Sequence, residues 1–171
     1  KVRSGQVRST AYSADGQWIV TASDEGQGRD AQTGTELLTL TGHDGRVMSA
    51  VYMQVVSGFD RWDKTAKVWD AQTGTELLTL TSHGGMVRSA AYSPDGQRIV
   101  TASADKTAKV WDAQTGRELF TLTGHNGIVF AATYAQRIAT AGGDGIVQIY
   151  TTDMEELLQI AKSRVTRQLT A

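Results

Sequence analysis

Along residues 87–123, apolar and polar positions recur in four short bursts, each ended by turn-forming residues. Val87–Tyr92 (VRSAAY) alternates, and Ser93-Pro94-Asp95-Gly96 follows, with proline at a position whose fixed φ suits a turn. Arg98–Ser103 (RIVTAS) is rich in β-branched residues, which favour a pleated surface. Ala104-Asp105-Lys106 reads as a tight turn, and Thr107–Trp111 (TAKVW) as a third strand. Ala113–Gly116 (AQTG) supplies another turn before Glu118–Thr123 (ELFTLT), the fourth strand. The pattern predicts a small, twisted, four-stranded antiparallel sheet. Such a sheet cannot bury both faces by itself and must stack on neighbours.

The same unit returns along the chain. Ala31–Thr41 and Ala71–Thr81 are the identical string AQTGTELLTLT, and Ala113–Thr123 differs from it at only two positions. TAKVWD stands at Thr65–Asp70 and again at Thr107–Asp112. His43, His83 and His125 occupy corresponding places, 40 and 42 residues apart. A period of this length marks a stack of repeated sheets.

Three repeats depart from the template. In the first, Glu25–Asp30 (EGQGRD) falls where the third strand belongs and reads as a poor, short strand. The second and fourth lack the Ser-Pro-Asp-Gly turn. Their joins at Tyr52–Val55 and Tyr134–Ile138 read as too short, as though loop residues were missing there. The final stretch, 151–171, changes character: apolar residues at 154, 157, 158, 161, 165 and 169 follow the helical period, and Asp153 with Glu156 resembles a capping box. A helix is expected there, with ELLQI at Glu156–Ile160 as a competing fourth strand.

Composition narrows the function classes. A chain of 171 residues is long enough for a sizeable core, and a formal net charge of −1 supplies no broad positive field for nucleic acid. There is no cysteine, which excludes disulfides and thiolate metal sites and fits a reducing, cytoplasmic setting. No apolar run is long enough for a membrane-spanning helix, and no signal-peptide pattern opens the chain. The chain opens at Lys1, in mid-repeat, and is read as part of a longer polypeptide.

Gly42-His43, Gly124-His125 and the near match Ser82-His83, together with Trp69-Asp70 and Trp111-Asp112, resemble the signatures of WD-repeat β-propellers. The resemblance covers about the first 150 residues as four repeats (about 1–41, 42–81, 82–123 and 124–150), with 151–171 as a helical tail. It implies an all-β partial propeller, four blades of a ring of seven or eight, with the missing blades upstream. Pairing of two halves into an oligomer is the alternative. In that family the Gly-His histidine, a second-strand hydroxyl, a turn aspartate and the tryptophan form a hydrogen-bonded tetrad. Carried over, the resemblance assigns His83, Ser103, Asp105 and Trp111 in the third blade. In the second it assigns His43, Asp63 and Trp69, with the hydroxyl left open.

Each candidate chemistry has a framework explanation. Three histidines in the same slot of separate blades read as structural rather than as metal ligands. The Ser/His/Asp set resembles a hydrolase triad, but in a WD blade it is a buried brace. Glycines stand singly in turns rather than in phosphate-binding loops, and no carboxylate pair is organised for acid–base work. No catalytic residue, metal or cofactor is expected.

Function is expected where the repeats differ. Asp44, Arg46, Met86, Asn126 and Ile128 vary around the Gly-His, Met48, Arg88 and Phe130 follow the shared valine, and Trp62 stands where the third repeat has Ala104. In the family these positions share one rim of the ring, a common docking surface for proteins. Near-identical repeats also resemble bacterial WD arrays at the sensor end of proteins with an upstream kinase, protease or nucleotide-switch module. The resemblance implies a protein partner, or an effector domain in the same polypeptide.

Overall fold

In a computed structural model, residues 9–12, 18–22, 26–30, 32, 35–40, 55–57, 64–70 and 73–151 are described. They form an all-β arrangement of four antiparallel sheets, one per repeat. The first contains β1 (Ser9–Tyr12), β2 (Trp18–Ala22), β3 (Gly26–Asp30) and β4 (Glu36–Leu40), paired in chain order. The second pairs β5 (Val55–Ser57), β6 (Ala66–Trp69) and β7 (Glu76–Leu80). The third is the template blade: β8 (Val87–Tyr92), β9 (Arg98–Ser103), β10 (Ala108–Asp112) and β11 (Glu118–Leu122). The fourth holds β12 (Val129–Tyr134), β13 (Arg137–Gly142) and β14 (Val147–Thr151).

The poor third strand expected in the first repeat is present, and the reading of one short join needs correcting. Gly26–Asp30 is a strand, paired with β2 on one side and β4 on the other. Its weak propensity is overridden because a ladder needs only backbone N–H and C=O groups, and both flanking strands supply them. The join after Tyr134 is also long enough. Ala135 and Gln136 reverse the chain between β12 and β13, and Ala135 N donates to Arg137 O at 2.9 Å. The other short join and the expected tail helix lie outside the described residues, apart from Thr151, which ends β14.

Local chemistry explains why the repeated strings fold alike. The aspartate that precedes the AQTG turn at Trp69-Asp70 and Trp111-Asp112 organises it: Asp112 Oδ1 accepts from Thr115 N and Thr115 Oγ1, both at 2.8 Å. Asp70 does the same for Thr73, at 2.7 and 2.9 Å. These are Asx-type turns, and Gly74 and Gly116, both at φ 70°, complete them in the left-handed region. The side-chain and backbone bonds from Thr115 hold the Asp112 carboxyl below its ordinary range. A β-bulge also recurs between the third and fourth strands of three blades: the register passes over one fourth-strand residue, at 37, 77 and 119, opposite Gly28–Arg29, Val68–Trp69 and Val110–Trp111.

The core lies between sheets. Ile99 and Trp111 on one face of the third blade join Ala66, Val68 and Leu80 of the second. On the opposite face, Val100, Ala102 and Val110 meet Val129, Ala132 and Ile138 of the fourth. Covered on both sides, β9 is buried along nearly its whole length, which is why its sequence is so apolar. Each fully buried Val or Ile contributes roughly 1.5–3 kcal/mol relative to exposure. The far face of the fourth blade differs. Val147 and Ile149 are 67% and 65% exposed, whereas the corresponding Ala108 and Val110 are 1% and 0%. No helix among the described residues is long and apolar enough to cross a membrane.

Candidate functional site: the buried brace and the variable rim

In the third blade, a chain of hydrogen bonds crosses the sheet from strand to turn. Trp111 Nε1 on β10 donates to Thr101 Oγ1 on β9 at 2.9 Å. Thr101 Oγ1 lies 2.7 Å from His83 Nε2, and His83 Nδ1 lies 2.8 Å from Asp105 Oδ2. One proton arrangement satisfies all of these: Trp111 N–H to Thr101, Thr101 O–H to His83 Nε2, and His83 Nδ1–H to Asp105. Asp105 also accepts from Gly84 N at 2.9 Å and from Thr107 N and Oγ1 at 2.9 and 2.6 Å. The carboxylate thus ties the loop before β8 to the turn after β9.

The hydroxyl in this chain belongs to Thr101, not to Ser103 as the family pattern suggests when counted along the sequence. Ser103 Oγ instead donates to Gly85 O at 3.0 Å and accepts from Asp105 N at 3.1 Å, shaping the turn. Register against β10 accounts for the choice, since both hydroxyls lie on the same face of β9. Thr101 pairs with Lys109, two residues before Trp111 on the same face, while Ser103 lies beyond the paired part of β10.

The fourth blade repeats the brace with His125 and two residues not singled out from sequence, Thr140 and Asp144. His125 Nε2 lies 2.8 Å from Thr140 Oγ1, and His125 Nδ1 lies 3.0 Å from Asp144 Oδ2. Asp144 also accepts from Asn126 N and Ile146 N. Tyr150 takes the tryptophan's place, paired with Ile138 as Trp111 is with Ile99. Here Gly142 occupies the position of Ser103, and an added Cβ would sit 2.4 Å from His125 Nδ1. The signal was in the sequence: Thr21, Thr101 and Thr140 correspond, whereas Ser103 has a glycine counterpart. In the second blade the backbone register Ser57↔Lys67 matches Thr101↔Lys109, so Ser57 stands at the strand position that corresponds to Thr101. His43 and Asp63 lie outside the described residues, while Trp69 is fully buried.

A second signature is the glycine two residues after each histidine. A Cβ on Gly85 would lie 2.8 Å from Asp105 N, and one on Gly127 would lie 2.9 Å from Asp144 N. Only glycine permits this backbone approach.

Burial lowers the His83 pKa from its ordinary value of 6.5, outweighing the bond to Asp105. For Asp105, burial pushes upward, but the bonds from Thr107 and His83 prevail and hold it down to about 2. Both folded-state values therefore lie below the unfolded ones, so both groups bind more protons when unfolded. Their stabilisation is present above the unfolded pKa and is lost as pH falls. Urea midpoints should decline as pH drops below the ordinary histidine value of 6.5. A further loss of about 2 kcal/mol is expected as pH falls from the ordinary aspartate range through Asp105's own value. His83→Gln should remove the upper step, and a slope identical to that of the parent would sink this assignment.

The brace is not set up for chemistry. His83 and Thr101 are buried, both imidazole nitrogens are occupied, and Thr101 Oγ1 already takes the Trp111 proton. No free nucleophile faces a base here.

Of the variable positions, Asp44, Arg46, Met48 and Trp62 lie outside the described residues. Met86 is half-buried against the core between the second and third blades, and its carbonyl accepts from Ala104 N at 2.7 Å. Ile128 makes the equivalent bond with Gly143 N at 2.7 Å. Asn126 is exposed. Arg88 and Phe130 meet across neighbouring first strands, with the guanidinium carbon 5.8 Å from the ring centroid.

Repeated antiparallel units of three or four described strands, a recurring Trp-Asp turn and a His–Thr–Asp brace define a WD-type blade stack. Residues 2–27, 34–70, 74–112 and 116–151 match the family described as "WD domain, G-beta repeat", and the chain belongs to it. No curated protein matches the chain significantly. Repeats of this family build protein-interaction scaffolds that are generally not enzymes, and this chain carries that scaffold as part of a β-propeller.

Proposed function

We propose that this chain is the propeller module of a larger, cytoplasmic, bacterial-type signalling or defence protein, where it binds a protein partner and regulates an attached effector. The observation that carries this reading is the division of labour within the repeats. Shared polar residues are consumed by the brace, as in His83–Thr101–Trp111, whereas the variable residues take no part in it, and the resemblance puts them on one rim. Sequence identity between repeats supports a common frame, and divergence at Asp44, Arg46, Met48, Trp62, Met86, Arg88, Asn126, Ile128 and Phe130 supports a surface tailored to a partner. The exposed Val147 and Ile149 support further blades beyond the fourth, since the same positions are buried one blade earlier.

Replacing Arg46, Trp62 and Asn126 together with alanine in the full protein should weaken capture of its native partner by about tenfold or more, as loss of interface anchors does. Unchanged retention, measured on the folded variant, would move the interface away from this rim.

A further inference from the structure

Between the third and fourth blades the rim holds an unusual pairing. Arg88, on β8, sits with its guanidinium carbon 5.8 Å from the centroid of Phe130, on β12. Phe130 is 51% exposed, although it stands on a strand whose Val129 and Ala132 are buried. The ring rests on Gly143: a Cβ there would lie 3.0 Å from Phe130 Cε2, so the glycine leaves the space that the ring fills. Arg88 Nε is buried and makes no hydrogen bond among the described residues. A guanidinium so placed is partly stripped of water and has no carboxylate partner among the described residues, and its remaining N–H donors are free to hold a carboxylate in paired fashion.

The surrounding charges agree. Lys106, exposed in the turn that bonds to Met86 O through Ala104 N, belongs to the same end of the third blade and likewise forms no ion pair among the described residues. The nearby carboxylates, Asp105 and Asp144, are engaged by their histidines and by backbone N–H groups. The described part of this rim therefore offers two uncommitted cations and one exposed aromatic ring, while its acids are already used.

We infer that Arg88 and Phe130, with Lys106 at the same end of the third blade, form an anchor for an acidic peptide segment that carries an aromatic or aliphatic side chain next to its carboxylate. The carboxylate is held by Arg88 and the apolar side chain lies on the Phe130 ring. The inference rests on the rim reading above and specifies its chemistry.

The test uses the full chain and fluorescein-labelled dodecapeptides of alternating Glu and Phe, with Gln–Phe and Lys–Phe versions as controls, read by fluorescence anisotropy. The Glu–Phe peptide should bind, weaken with rising ionic strength, and exceed the Gln–Phe peptide in affinity by about tenfold. Arg88→Gln should erase that preference, Arg88→Lys should retain part of it, and Phe130→Ala should weaken the Glu–Phe and Gln–Phe peptides alike. Equal binding of the Glu–Phe and Gln–Phe peptides, or an Arg88→Gln protein that keeps the preference, overturns the inference. Thermal unfolding of each variant checks that the blade is intact, and Phe130→Leu replaces Phe130→Ala if the latter does not fold. Loss of the native partner in the Arg46/Trp62/Asn126 variant without any Glu–Phe preference would leave the rim in place and remove only its acidic ligand. A Glu–Phe preference with native-partner binding unchanged in that variant would do the reverse.

Discussion

Trp111→Ala is expected to lower the unfolding free energy by about 3–5 kcal/mol, the range for deleting a buried aromatic side chain. Trp111 is only 2% exposed and packs in the cluster shared with Ala66, Val68 and Leu80 of the second blade. Its ring meets His83 edge-on, with centroids 6.1 Å apart. Truncation therefore opens a cavity at the junction of two sheets, and it also removes the N–H that Thr101 accepts. Trp111→Phe should lose less, because most apolar area returns and only the donor is missing. Urea denaturation followed by far-UV circular dichroism reads both. A loss under about 1 kcal/mol for the alanine variant would mean that the cluster collapses around the gap or does not hold the blades together.

Thr101→Val should cost about 2–4 kcal/mol, against about 1 kcal/mol for Ser103→Ala. The valine nearly preserves shape but leaves Trp111 Nε1 and His83 Nε2, both inside the protein, without their shared partner. Ser103 has one acceptor, Gly85 O, and one donor, Asp105 N, and both sit in a turn. The comparison separates the two hydroxyls that family counting confuses. The reverse order of effects would return Ser103 to the brace.

That confusion shows how far the chain could be read without its fold. Strands, turns and repeat length were legible because each depends on local chemistry: alternation of side chains, Asp–Thr bonds within AQTG, and glycine where φ is positive. The His83, Asp105 and Trp111 positions were legible for a related reason, since each carries a distinctive residue in a repeated slot. Between Thr101 and Ser103 the sequence offered two hydroxyls two residues apart, on the same face of one strand. Register against β10 separates them, and register belongs to a pair of strands rather than to one. Repeat comparison held a clue, in that Gly142 replaces Ser103 while Thr140 matches Thr101. Its force became visible once the space around Gly142 was seen to be filled by His125 and Asp144.

β3 taught the opposite lesson. Gly26–Asp30 has little intrinsic preference for a strand, yet two flanking strands impose one. Propensity is a weak local bias, and a pair of ladders outweighs it. Arg88 and Phe130, likewise, were separate variable positions 42 residues apart in the sequence. Stacking one blade on the next brought them together across β8 and β12. By itself the sequence determined an all-β stack of WD blades and the residues that cap its turns, because those features are written within a few residues of chain. Which hydroxyl completes the brace, which weak segment becomes a strand and which rim residues touch were decided only by tertiary structure. Those outcomes depend on partners that long chain separations or a second strand supply.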